Sequence, residues 1–198
     1  MSDSYAVLTG DLMNSTDLTP AALDAALGSL GDAALEFGGV FARRGGDGWQ
    51  CAAPRPGNAL RYALILRAAL RSLGKDHATR IAIAAGAGTL PASGGVNAAH
   101  GPAFVASGRL LDALPAHVGM AHAAGGVLDA ATRLADHIST GWTPAQARSV
   151  RLILWPKGRI RADAAAALGI TRQAVDQALW SAGFPALSDA LDLIEGAP

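Results

Sequence analysis

Only one cysteine, Cys51, occurs in 198 residues. A lone thiol excludes an intrachain disulfide framework and a cysteine-based metal cluster. Cys51 reads instead as a buried strand residue, since a free cysteine packs as a small hydrophobe. Aromatic residues are scarce, at 5%. The apolar half of the chain is largely alanine, which points to a helix-heavy core of small residues. Net charge is absent, with 16 Lys and Arg against 16 Asp and Glu. The molecule as a whole is therefore not a polyanion binder, and any basic footprint must be local. No apolar run approaches the ~20 residues of a membrane span. The opening residues Met1-Ser2-Asp3-Ser4-Tyr5 lack the basic stretch of a secretory signal. The expectation is a cytoplasmic protein without a membrane partner.

Turn residues divide what remains into short elements. Residues 5–9 form an apolar run before Gly10 and read as a buried strand. Thr19-Pro20 starts a helix that presents Leu23, Leu27, Leu30 and Ala34 on one face and ends at Gly38-Gly39. A hairpin follows, with strands over residues 40–43 and 49–53 around Gly45-Gly46-Asp47-Gly48. A second helix runs over about 58–73, with Ala63, Leu66, Leu70 and Leu73 on one face. A strand covers 80–86, a loop rich in small residues 87–100, and a helix 102–114. A short strand at 118–121 and a helix at 127–137 complete this part. The order is βαββαβ with an extra helix and strand. It predicts an α+β fold: a ferredoxin-like, palm-type sheet of about five strands with helices on one face, over residues 1–140. Gly141-Trp142-Thr143-Pro144 reads as a linker into an all-helical unit at 141–198.

That unit has helix-turn-helix spacing. Thr143-Pro144 opens a helix that extends to Trp155 and is stopped by Pro156-Lys157-Gly158. Helices at 161–168 and 171–182 flank Gly169. Ala165 is small enough for two helices to cross closely, Gly169 suits a tight turn, Ile170 fills the gap between helices, and Val175 docks the second helix. Trp155 and Trp180 read as core residues. Thr171 caps the second helix, whose N-terminus then favours a phosphate. Arg161, Thr171, Arg172, Gln173 and Gln177 are of the types that reach phosphates and base edges. Residues 141–183 hold six Lys or Arg and two Asp, a net +4. Residues 184–194 form a final amphipathic helix. The predicted partner is DNA, bound by a homodimer.

In a βαββαβ sheet the first and third strands are central antiparallel neighbours. Asp11, at the end of the first, then lies beside Asp47, before the third. Two carboxylates at one edge suit Mg²⁺ or Mn²⁺ with phosphate oxygens. The histidines show no metal-ligand spacing. The segments Gly10-Asp11-Leu12-Met13-Asn14-Ser15-Thr16 and Gly46-Asp47-Gly48-Trp49-Gln50-Cys51-Ala52-Ala53 resemble the two metal-bearing motifs of class III nucleotide cyclases. Residues 80–86 followed by 101–110 resemble the strand and helix that complete that site. The likeness covers about the first 120 residues. It is closer still to the SatD family of bacterial proteins, which share the Gly-Asp start and a Gly-Pro-Ala-led helix and often end in a helix-turn-helix. The resemblance implies Asp11 and Asp47 as metal ligands, and Arg43, Arg44, Gly46 and Gly48 around a nucleotide. It also implies Arg109 as the group that stabilises phosphate charge. A cyclase carries Asn one helical turn before that Arg; here the position is Val105, which donates no hydrogen bond. Two functions follow as expectations. One is a DNA-binding transcription regulator whose cyclase-like domain senses a nucleotide or metal or mediates dimerisation. The other is a metal-dependent cyclase-like enzyme regulated by its helical tail.

Overall fold

The computed structural model describes residues 3–92, 95–155 and 160–196. Its central strand is β1 (Asp3–Leu12), flanked by β3 (Gly48–Ala53) and β4 (Thr79–Gly88), both antiparallel to it. β2 (Val40–Arg44) pairs with β3 as a hairpin, and β5 (Met120–His122) runs parallel to β4 at the far edge. The sheet order is β2-β3-β1-β4-β5. This is the α+β order expected for a ferredoxin-like palm, with β5 added outside.

Alternation along β1 assigns the two faces, because successive side chains of a strand point to opposite sides. Ala6, Leu8 and Leu12 enter the main core beneath α1 (Pro20–Glu36) and α2 (Ala59–Arg71). Val7 enters a smaller cluster with Ala52, Ala84 and Phe104 under α3 (Pro102–Ala113). Helices α1, α2 and α4 (Gly126–Thr140) thus share the expected face, while α3 alone covers the other. The chain reaches α3 through the long loop after β4, which makes this crossing possible.

α2 is the centre of the molecule. Every residue from Ala59 to Leu70 is buried, including Arg61 and Arg67. A single apolar stripe was expected. The second side is covered by the tail helices α5 (Pro144–Ile153) and α8 (Phe184–Glu195). Leu73 falls beyond the helix and is 47% exposed. Phe37 stacks on Tyr62 with ring centroids 4.3 Å apart, and Trp155 lies 6.3 Å from Phe37. One core cluster consequently runs from Ala6 in β1 to Leu191 in α8.

Two buried arginines lock this arrangement. Arg67 donates to the Asp136 carboxylate at 2.5 Å and to the Ser139 and Thr140 hydroxyls, which joins α2 to α4. Gly119 leaves room for this pair, since a β-carbon there would push the tips of Asp136 and Arg67 aside. Arg61 donates to Glu195 and Asp192, both at 2.7 Å, and to the Leu154 carbonyl at 3.1 Å. It joins α2 to the ends of α5 and α8. The segment 141–144 is a short connection rather than a free linker: Trp142 is buried and its indole N–H donates to the Ala182 carbonyl at 2.8 Å.

Candidate functional site

The register of the sheet brings the first candidate residues together. Asp11 lies opposite Gly48 on β3 and opposite Arg80 on β4, and Arg44 lies opposite Gly48 on β2. Arg44, Gly48, Asp11 and Arg80 therefore form one rung across four strands, on the same face as Val7. The Leu12 amide donates to the Asp47 carbonyl at 3.2 Å, which fixes the hairpin turn beside the end of β1. The expected meeting of Asp11 and Asp47 at one edge is present in the backbone.

Both carboxylates are engaged by the chain itself. Arg80 holds Asp11 with two prongs, Nε to Oδ1 at 2.9 Å and Nη2 to Oδ2. The hydrogen bond to Asp11 raises the Arg80 pKa above its ordinary value, and the charges of Asp11 and Asp47 add to the effect. Asp47 accepts from the Ser15 hydroxyl at 2.5 Å. Asn14, left-handed at φ 53°, turns the chain so that Ser15 can reach it. The Asp11 carboxylate is therefore already balanced by a cation of the chain itself. Among the described residues no cluster of three or more His, Cys, Asp or Glu could hold a metal.

The neighbours explain why the motif has these residues. A β-carbon on Gly10 would collide with the Trp49 ring and the Arg80 carbonyl. Trp49 is fully buried and donates to Thr79 Oγ1 at 3.0 Å, which in turn donates to the Asp11 carbonyl at 2.6 Å. Deeper on the face of the Asp11 rung, opposite to Trp49, Gln50 donates to Thr9 Oγ1 at 2.9 Å, and Thr9 shares a 2.8 Å bond with Ser107 of α3. This buried chain fixes α3 on the sheet and leaves Val105 and Arg109 on its exposed side. Arg43 is paired with Asp24 at 2.6 Å, both largely exposed. Arg44 has no ion-pair partner among the described residues and, with Arg43, Gly45 and Asn97, lines a shallow cavity of about 510 Å³. Gly46 is exposed in the turn, and Gly48 leaves a gap in the rung between Arg44 and Asp11. The face thus carries Arg44 and Arg80 with Asp11 paired between them, and the Asp47 carboxylate near enough for its charge to act on Arg80.

The sequence matches no protein-family profile, and no curated protein matches it. Among solved structures the chain is similar to the guanylyl cyclase Cya2, at 18% identity and a TM-score of 0.46. That match covers 64% of this chain and 82% of the other. It is also similar to the adenylyl cyclase CyaB from P. aeruginosa, at 17% identity and a TM-score of 0.44, covering 57% of this chain and 73% of that one.

The second candidate surface lies in the tail. Thr143 and Gln146 form a reciprocal cap on α5. α6 (Arg161–Leu168) ends at Gly169, left-handed at φ 64°, and α7 (Arg172–Ser181) starts under the Thr171 cap, whose hydroxyl accepts from the Ala174 amide at 3.1 Å. Ala165 and Val175 are buried as expected. Two expectations fail. Ile170 is 43% exposed and Trp180 is 78% exposed. α7 turns Val175 and Leu179 inward, and Trp180, one residue further on, necessarily points out. Thr171, Arg172, Gln173 and Gln177 are all exposed on α7 or at its cap. Arg161 is held 2.8 Å from Asp176, which also lies 3.9 Å from Arg172. The stop at Pro156-Lys157-Gly158, and the charge of Arg159, lie outside the described residues. No described helix is long and apolar enough to cross a membrane.

Sequence reasoning missed Arg80, Arg61 and His122. Arg80 was findable, because a strand ending at Asp11 and one starting at Arg80 must pair if they are antiparallel neighbours. The burial of Arg61 left no local signal.

Proposed function

We propose that this chain is a DNA-binding transcription regulator in which α6 and α7 form a helix-turn-helix. The α/β body receives a nucleotide or a metal, or pairs with a second copy. The observation that carries this reading is the free face of α7. Thr171, Arg172, Gln173 and Gln177 are exposed together, while Val175 and Leu179 fasten the helix from behind. Such side chains serve phosphates and base edges, and a capped helix N-terminus favours a phosphate. The likeness of the body's motifs to the SatD family supports the same pairing of parts. A homodimer would place two such helices on a two-fold site. The test is a gel shift of random-sequence duplex by the full chain at rising salt. Binding at low salt that weakens steeply as salt rises is expected, with Arg172→Ala weaker on every sequence. A duplex left unshifted at low salt refutes the reading.

A second reading, a divalent-metal-dependent cyclase-like enzyme regulated by the tail, is favoured by the meeting of Asp11 and Asp47 at one edge. Arg109 would stabilise phosphate charge there. Val105 stands against it, because loss of such a donor costs roughly 10²–10³ in rate. Cyclic nucleotide formed from ATP or GTP with Mn²⁺, and absent in Asp47→Ala, would establish this reading in place of the first.

A further inference from the structure

A second cavity lies away from the Asp11–Arg80 pair, toward the opposite end of β4. It measures about 570 Å³, within the range of small-molecule sites. Its walls include Leu60 of α2, Ala85 of β4, His122 of β5, Leu128 and Thr132 of α4, and Ile194 of α8, with the turn before α2. No Lys, Arg, Asp or Glu lines it.

His122 is the only titratable group in these walls, and it is 7% exposed. Its Nδ1 accepts from the Ala124 amide at 3.1 Å, so the ring proton of the neutral form sits on Nε2. Burial lowers its pKa, with Asp129 opposing, so the neutral form prevails near pH 7. No group among the described residues takes up Nε2. The Thr132 hydroxyl already donates to the Leu128 carbonyl at 2.7 Å. Apart from His122 and Thr132 the lining side chains are apolar, so Nε2 is the side-chain donor left for a ligand. An ion would enter without a counter-charge, which is costly.

We infer that this cavity binds an uncharged, largely apolar small molecule with one hydrogen-bond acceptor, such as an aryl ketone, whose oxygen accepts from His122 Nε2. The ligand would touch both halves of the Arg61 clamp. Leu60 precedes Arg61, and Ile194 lies between Asp192 and Glu195, the carboxylates that Arg61 holds. Occupancy then bears directly on how α8 sits against the body. The inference is independent of DNA binding.

The test uses the full chain and two probes of matched shape, 2-acetylnaphthalene and 2-ethylnaphthalene, followed by titration calorimetry. One probe per chain is expected, with the ketone bound up to about tenfold tighter, the worth of one hydrogen bond. His122→Leu should erase that preference and leave the hydrocarbon nearly unchanged. Ala85→Phe, at an exposed wall position where the fold is not at risk, should weaken both probes. Three results would overturn the inference: no saturable binding, equal affinity of the two probes in the parent, or a preference that survives His122→Leu. Affinity that falls as protein concentration rises would also overturn it, since a second copy would then cover the mouth.

Discussion

Asp11 has a guanidinium on each side of it in the rung, Arg80 in contact and Arg44 across the gap left by Gly48. Arg80 thus already balances the charge of Asp11. Replacing it should expose the carboxylate. Arg80→Ala is expected to lose about 1–2 kcal/mol, because a half-buried charged acceptor is left unpaired. Millimolar Mg²⁺ should raise the melting temperature of the variant and leave that of the parent unmoved. Equal responses in the two proteins would show that Arg80 does not gate the site. His122 gives a pH signature of opposite origin. Burial lowers its pKa, so the unfolded chain binds its proton first as acid is added. Its contribution to stability is present above the ordinary histidine value of about 6.5 and is lost as pH falls from there toward the lowered value. Denaturant titrations of the parent should show that loss between pH 7 and 5.5, and His122→Gln should show less of it.

At the scale of elements, the ends were legible and the faces were less so. Thr19-Pro20, Gly38, Gly45, Thr143-Pro144, Gly169 and Thr171 each stop or start an element for a local backbone reason, and each does so in the fold. The hairpin and the convergence of Asp11 with Asp47 followed from those boundaries and the sheet order. Faces depend on partners that local pattern does not specify. α2 has two polar residues, Arg61 and Arg67, on what looks like its solvent side, and both are buried because α4, α5 and α8 close over them. Trp180 failed for the converse reason: its size suggested a core residue, but the positions of Val175 and Leu179 had already fixed the inner face. Arg61 also gives a direct measure of how the tail is attached. Arg61→Ala leaves Glu195 and the Leu154 carbonyl without a donor and should cost about 2–3 kcal/mol. This is below the value for a fully buried pair because Asp192 is mostly exposed. Hydrogen exchange should quicken in α8 first and leave β1 protected. Uniform loss of protection would mean that Arg61 supports the whole core rather than the attachment.

For the whole molecule, the continuous core from β1 to α8 is the governing fact. A body at 1–140 with an independent tail would melt in two steps, whereas a shared core melts in one. Calorimetry and circular dichroism of the full chain should give a single coincident transition. Separate transitions would show that the tail is held by its ion pairs alone. The same continuity gives the charge asymmetry a mechanical meaning. Helices α5 to α7 carry Arg148, Arg151, Arg161 and Arg172 against Asp163 and Asp176, a net +2, and moving this unit off the body would break the Trp142 and Arg61 contacts.

The tryptophans add an optical consequence. Trp49 is sealed beside Gly10 at the acidic edge, while Trp180 is 78% exposed on the free side of α7. One ring emits from a dry, rigid setting and the other from water, so acrylamide quenches the second and spares the first. The difference between the parent and Trp180→Phe spectra isolates the exposed ring from Trp49, Trp142 and Trp155. The chain then carries an intrinsic lamp for whatever settles on α7.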